Sequence, residues 1–250
     1  MDRSSTPMPL ALIIVTSYCG PFYDDGKKTG AYFSEILHPY EAFTRNCFQV
    51  EFASETGHVG FDEHSIVPPA VTGEELRVLH DNSHPLMRAL HSAVQRVDSL
   101  DINRYDIVFV AGGHGTLFDM PRSGDIQKFL AGMYEAGKIV AAVCHGPVVL
   151  PFVHLKGGTP LVEGKRITGF TRKGEEMVGV MGTMQKHNFK TIEDLAESAG
   201  AVFKQKEDPF EEYVVLDGHL VTGTNPASAR RTAEVAVEAW KRVETHACVY

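Results

Sequence analysis

Apolar and polar positions alternate along this chain on two different periods. Short continuous apolar runs, of the kind covered on both faces in a parallel sheet, fall at residues 10–15, 107–111 and 139–143, and 49–53 reads as a further central strand. Weaker strand signals follow at 166–169, 201–203, 213–216 and 220–222, with Asp217-Gly218 between the last two as a hairpin turn. Between these runs the apolar positions recur at helical spacing, which predicts helices over 30–43, 85–99, 125–136, 192–199 and 226–243. The last opens with Asn225 as cap and Pro226 at the first helical position. Strands alternating with helices in this way predict an α/β fold, an open, mostly parallel sheet sandwiched by helices. The segment 54–73 has neither period and is expected to wrap the sheet edge.

Composition narrows the function classes. A chain of 250 residues that is 43% hydrophobic buries a large core, and one domain over 1–250 is expected, without repeat or linker. Lys and Arg number 24 against 32 Asp and Glu, a formal charge of -8 with no basic cluster, which argues against nucleic acid and anionic membrane as partners. The cysteines at 19, 47, 144 and 248 form no CxxC pair and no disulfide framework, which suits a reducing compartment. Cys248 sits third from the end, one place short of a prenylation box. Residues 9–15 lack the flanks of a signal peptide, and no apolar run reaches membrane-spanning length. The cytoplasm is the expected location, with diffusion into the nucleus.

Candidate chemistry concentrates where the strand 139–143 runs into Cys144-His145-Gly146-Pro147. A buried cysteine is commonly core, but an adjacent histidine and a Gly-Pro turn are awkward to explain by packing. A strand, a sharp turn and a helix start would lift the thiol above the sheet, and a helix N-terminus beneath it would ease ionisation. The strand ending at Ala111 feeds a second loop, Gly112-Gly113-His114-Gly115, that should face the cysteine turn. The N–H groups of Gly113 and His145 are candidate donors to an oxyanion there.

Two nucleotide motifs fail on spacing. In Gly20-Pro-Phe-Tyr-Asp-Asp-Gly26-Lys27-Lys28 five residues separate glycines that a P-loop sets four apart, and Lys28 stands where Ser or Thr is needed. After Gly113 and Gly115, Phe118 replaces the third glycine of a dinucleotide fingerprint. His80 and His84 are separated by helix-breaking residues, so no metal and no cofactor is indicated.

These motifs resemble the ThiJ/PfpI superfamily, on the flavodoxin-like, class I glutamine amidotransferase-like fold. Thr29-Gly30, Glu35-Ile-Leu-His-Pro39, Ala53-Ser-Glu-Thr-Gly57, Asp62-Glu-His64, Ile167-Thr-Gly-Phe170 and Val221-Thr-Gly-Thr-Asn-Pro226 are similar to its fungal glyoxalase III and heat-inducible chaperone subgroup. The resemblance implies Cys144 as nucleophile with His145 beside it. It implies Glu176 as the acid that orients the histidine, with Glu175 one register away, and Glu35 as the acid near the thiol. Tyr32, Ile36 and Tyr40 put an apolar stripe beside Glu35, so partial burial would keep its carboxyl partly protonated and able to hydrogen-bond the thiolate. Gly113 and His114 would line the substrate.

The implied reaction takes a small 2-oxoaldehyde, methylglyoxal plus water, to D-lactate through a cysteine hemithioacetal, without glutathione or metal, as a carbon–oxygen lyase. His145 or Glu35 would move the proton. Two other activities use the same cysteine: a stress-inducible holdase chaperone or redox sensor that binds unfolded client proteins, and a protein deglycase. A homodimer is implied as well.

Overall fold

The computed structural model describes residues 8–247. Cys248 and the residues ahead of Met8 lie outside the described residues. Four runs form the centre of one sheet: β1 (Leu10–Ile14), β4 (Ile107–Val110) and β5 (Ile139–Val143) are buried throughout, and β2 (Gln49–Ser54) is buried over its second half. β3 (Val94–Arg96) closes one edge, while β6 (Val214–Asp217) and β7 (Leu220–Gly223) close the other. The order is β6-β7-β5-β4-β1-β2-β3, parallel except for β6, which pairs antiparallel with β7 across the expected turn, where Gly218 adopts φ +61°.

Helices cover both faces: α1 (Ser34–Arg45), α2 (Gly73–His80), α3 (Pro85–Ser92), α4 (Gly124–Glu135), α5 (Arg172–Val178), α6 (Ile192–Ser198) and α7 (Ala229–Ala247). Residues 94–99, expected to continue a helix from 85, instead supply the edge strand at Val94–Arg96, which pair with Phe52 to Ser54, and a 3₁₀ turn at Val97–Ser99. The signal 166–169 shrinks to Arg166–Ile167, which pairs with Val202–Phe203 in a separate small sheet. Asn225 caps as expected through Ser228 N–H, but a 3₁₀ turn at Pro226–Ser228 precedes α7. The helix α2 was not anticipated, although Thr72 and Glu75 form a capping box readable in the sequence.

The segment 54–73 first passes the edge strand β3, where a Cβ on Gly57 would stand 3.5 Å from the carbonyl oxygen of Val94. It crosses beside residues 28–31, where Ala31 N–H donates to Gly60 and Asp62 N–H donates to Ala31, and it carries Asp62 into the interior. Among the described residues no helix is long and apolar enough to cross a membrane.

Two glycines let the loops after β4 and β5 meet at the carboxyl ends of the strands. A Cβ on Gly146 would stand 2.4 Å from the carbonyl oxygen of Val110, and one on Gly112 would stand 2.5 Å from Glu35 and 2.7 Å from the backbone of His145. The obstruction at Gly146 is backbone, which cannot swing aside. Gly146→Ala is therefore expected to cost about 2 kcal/mol or more of folding stability, read as a lowered denaturation midpoint, whereas Gly182→Ala, with open space around it, should leave the midpoint near the parent value.

Candidate active site

The strand β5 ends at Val143, and Cys144 takes the left-handed conformation, φ +58°, that a side-chain-bearing residue adopts only under constraint. Three ties hold it there. Its N–H donates to Gly223 on β7, its carbonyl accepts from Phe170 N–H, and Gly146 fits against Val110. The element that follows is a 3₁₀ helix, Gly146–Phe152, in which Pro151 removes an interior donor. The side chain points into a cavity of about 290 Å³ lined by Tyr23, Tyr32, His114, Phe170, Val178 and Phe210 among others.

His145 follows directly. Its Nδ1 lies 3.3 Å from Cys144 Sγ, and its Nε2 lies 2.7 Å from Oε1 of Glu175. The other oxygen of that carboxylate, Oε2, lies 3.0 Å from Nε2 of His114. This corrects the expectation of Glu176, which faces solvent. Thr171 caps α5 by accepting from Gly174 N–H, so Gly174 and Glu175 fall on the inward face of the first turn and Glu176, a hundred degrees further round, falls outside. The cap was legible as Thr171 after Phe170, and counting from it would have chosen Glu175.

Electrostatics follow from burial. Burial opposes ionisation of Glu175, but the charges of and hydrogen bonds from His145 and His114 outweigh it and hold the carboxyl down to about 2. Burial, and then the neighbouring His114 charge, push His145 below the ordinary histidine value despite Glu175.

Glu35, on the first turn of α1, is fully buried. Burial pushes its carboxyl up to about 8 against hydrogen bonds from Cys144 and Gly112, so it carries a proton at neutral pH. Its Oε2 accepts from Gly112 N–H at 2.9 Å, which leaves the proton to Oε1, an oxygen with no other partner of good hydrogen-bonding geometry. Cys144 is the group beside it.

The expectation of an easily ionised thiol is overturned. Cys144 is only 3% exposed, and burial, followed by the nearby Glu35 carboxyl, pushes the thiol well above its ordinary value. A short 3₁₀ turn supplies too little aligned dipole to compensate.

Gly113, at φ +104°, lines the cavity, and among the described residues its N–H is not used in backbone pairing. His114 lines the cavity too, but its Nδ1 is engaged with the Tyr23 hydroxyl at 3.1 Å and its Nε2 with Glu175. Tyr23 and Asp62, behind His114, are site residues the sequence reading missed as such. His114, His145 and Glu175 bring one potential metal ligand each within 4.8 Å of one another. Their mutual hydrogen bonds already account for that arrangement.

Residues 29–239 match the DJ-1/PfpI family. This chain belongs to that family. Within it, the chain is 43% identical to Glyoxalase 3 of Candida albicans, over 94% of this chain and 99% of that protein. It is 40% identical to the glutathione-independent glyoxalase HSP31 of Saccharomyces cerevisiae, over 92% and 97%. The crystal structure of glyoxalase III from Candida albicans superposes with a TM-score of 0.89, covering 93% of this chain and 97% of that one. The DJ-1/PfpI fold is thus the seven-stranded, mostly parallel sheet described above.

Stability should report the Glu35 proton. Its native carboxyl titrates near 8 against an ordinary 4.5, so the native state holds the extra proton between these values. The stabilisation is complete below about 4.5 and is lost as pH rises through about 8. Thermal denaturation from pH 5 to 8.5 should show the parent losing stability relative to Glu35→Gln, by up to about 1.4 kcal/mol per pH unit. Parallel curves for the two proteins would contradict the buried, protonated carboxyl.

Proposed function

We propose that this chain is a glutathione-independent glyoxalase that converts methylglyoxal and water to D-lactate. The observation that carries the reading is the buried Cys144 thiol set between a histidine base and a protonated carboxyl, at 3.3 Å from His145 Nδ1 and beside Glu35. Support comes from relatives that bear the glyoxalase name across nearly the full chain.

In this reading His145 Nδ1 takes the thiol proton, and Glu175 stabilises the imidazolium through Nε2. The sulfur adds to the aldehyde carbon C1. The oxygen formed there takes the proton of Glu35, with the N–H groups of Gly113 and His145 as donors to its charge. Glu35, now a carboxylate, removes hydrogen from C1 while His145 protonates the oxygen on C2, giving an enediol. Glu35 returns the proton to C2, and His145 takes the proton from the C1 oxygen, leaving a lactoyl thioester. Water then adds its hydroxyl to the acyl carbon and its proton to Glu35, and the departing sulfur is reprotonated by His145. A carboxyl that titrates near 8 suits both giving and taking the proton near neutral pH.

A second reading is favoured by one feature. Met177, Val178 and Phe210 are large apolar side chains 42–58% exposed, and Val178 and Phe210 stand at the cavity mouth. Such a rim suits holding an unfolded client. The buried, hard-to-ionise thiol argues against a redox sensor and leaves holdase action independent of sulfur chemistry. Deglycation of proteins would use the same addition step, and a homodimer belongs to the same reading; sedimentation tests the latter.

Purified protein is expected to form D-lactate from methylglyoxal without glutathione or added metal, and Cys144→Ala to reduce the rate by at least about a thousandfold. Glu175→Gln should lower the rate by about a hundredfold or more, while Glu176→Gln leaves it within about twofold of the parent. Suppression of client aggregation should survive Cys144→Ser. Lactate formation undiminished in Cys144→Ala would contradict the covalent reading.

A further inference from the structure

Beside the site, half-buried Tyr23 at the cavity wall joins the buried Thr29 and Asp62 in a chain of polar groups that the reaction steps above leave unused. Tyr23 Oη is 2.6 Å from Oδ2 of Asp62, and the hydroxyl of Thr29 donates to that same oxygen at 2.7 Å. The backbone N–H of His64 donates to the other oxygen, Oδ1, at 2.9 Å. Asp62 is fully buried, and three donors converging on it are satisfied by a carboxylate, which only accepts. The single proton of the Tyr23 hydroxyl is therefore committed to Asp62. Toward Nδ1 of His114, 3.1 Å away, Tyr23 presents only lone pairs. Nδ1 must carry a hydrogen.

The other side of the ring gives the same answer. Nε2 of His114 faces Oε2 of Glu175 at 3.0 Å, and Glu175 also accepts from Nε2 of His145 through Oε1. A bare nitrogen against a carboxylate oxygen would set lone pair against lone pair, so Nε2 carries a hydrogen too. Both ring nitrogens of His114 thus face oxygens placed to accept, an arrangement that two N–H donors satisfy. His145 is placed differently. It spends Nε2–H on Glu175, which leaves Nδ1 as a lone pair 3.3 Å from the Cys144 sulfur. The two rings lie 3.9 Å apart between centroids, so a cation on His114 directly opposes a second proton on His145.

We propose that Asp62 and Tyr23 hold His114 doubly protonated, and that this fixed imidazolium keeps His145 neutral as the base for Cys144. Tyr23 and Asp62 are then positioning residues: they act on the thiol through His114, Glu175 and His145. The inference deepens the glyoxalase reading and rests on it for its consequence in turnover, while the protonation pattern stands on the hydrogen bonds alone. The groups facing His114 are Tyr23 and Asp62 on one side and Glu175, His145 and, beyond it, Cys144 on the other. His64, paired with Asp25, stacks on Tyr23 at 4.2 Å, and the Phe22 ring covers the face of His114 at 4.9 Å. A His114 with no free lone pair is also unavailable as a metal ligand, so the neighbouring histidine–glutamate cluster serves as a hydrogen-bonded unit.

The test is ¹⁵N histidine NMR of the full-length protein between about pH 6 and 8, with ring signals assigned through His114→Gln. In the parent, both His114 nitrogens are expected to show the protonated shift across the range, and His145 to show one protonated and one bare nitrogen. In Tyr23→Phe, His114 should become neutral at the upper end, and His145 should gain its second proton at a pH higher by about one unit. A neutral His114 in the parent near pH 7 overturns the proposal, whether or not Tyr23→Phe folds. An unchanged His145 titration in a folded Tyr23→Phe overturns the link between the two rings. Neither reading depends on lactate, so failure of the glyoxalase assignment would be seen separately.

Discussion

The left-handed backbone at Cys144 is the constraint on which the rest of the site depends. At φ +58° the residue leaves the sheet and turns its sulfur into the cavity, a conformation held by the Gly223, Phe170 and Val110 backbone around it. Were the elbow to relax, the sulfur would leave His145 Nδ1 and Glu35 together. The parallel strands on either side explain why the turn can be kept. β4 and β7 flank β5, so the constrained residue is anchored on both sides by sheet, and the strain is distributed into the core.

Burial does two opposite things at this point. It makes the thiol harder to ionise and it makes Glu35 a protonated acid, so the pair holds protons that ordinary exposed groups would have lost. A site of this kind is quiet at rest. Ionisation waits for a substrate carbon to take the sulfur, at which point the same carboxyl can give its proton to the new oxygen. The histidine side is arranged in the opposite sense: Glu175, held to about 2, is a charge that stays charged and orients two rings at once.

Much of this was legible in the sequence, and the failures have physical causes. The strands β1, β4 and β5 are continuous apolar runs buried on both faces, which is a strong pattern, and the Cys144-His145-Gly146 turn and the glycine loop at 112–115 follow β5 and β4. Val94 to Arg96 was misread because a three-residue edge strand has no period of its own and gains its identity only by pairing with β2. Glu175 and Glu176 are adjacent, and only the start of α5, set by Thr171, decides which faces inward. The ease of thiol ionisation was not legible because the helix start inferred beneath it is a 3₁₀ turn, and because burial to 3% exposure is a tertiary property. Asp62 and Tyr23 meet His114 from segments far apart in the chain, in a stretch with no periodicity to announce them.

The central claim is that a proton leaves C1 of the thiol adduct and is returned to C2 by a group of the site. Conversion of methylglyoxal in deuterium oxide, followed by proton NMR of the lactate, tests it most directly. Exchange of the abstracted proton with solvent before its return predicts deuterium at C2 of the product. Lactate that keeps the aldehyde hydrogen on C2 in repeated runs, and that Glu35→Gln forms as fast as the parent, would mean direct hydride migration between the two carbons and would contradict the account.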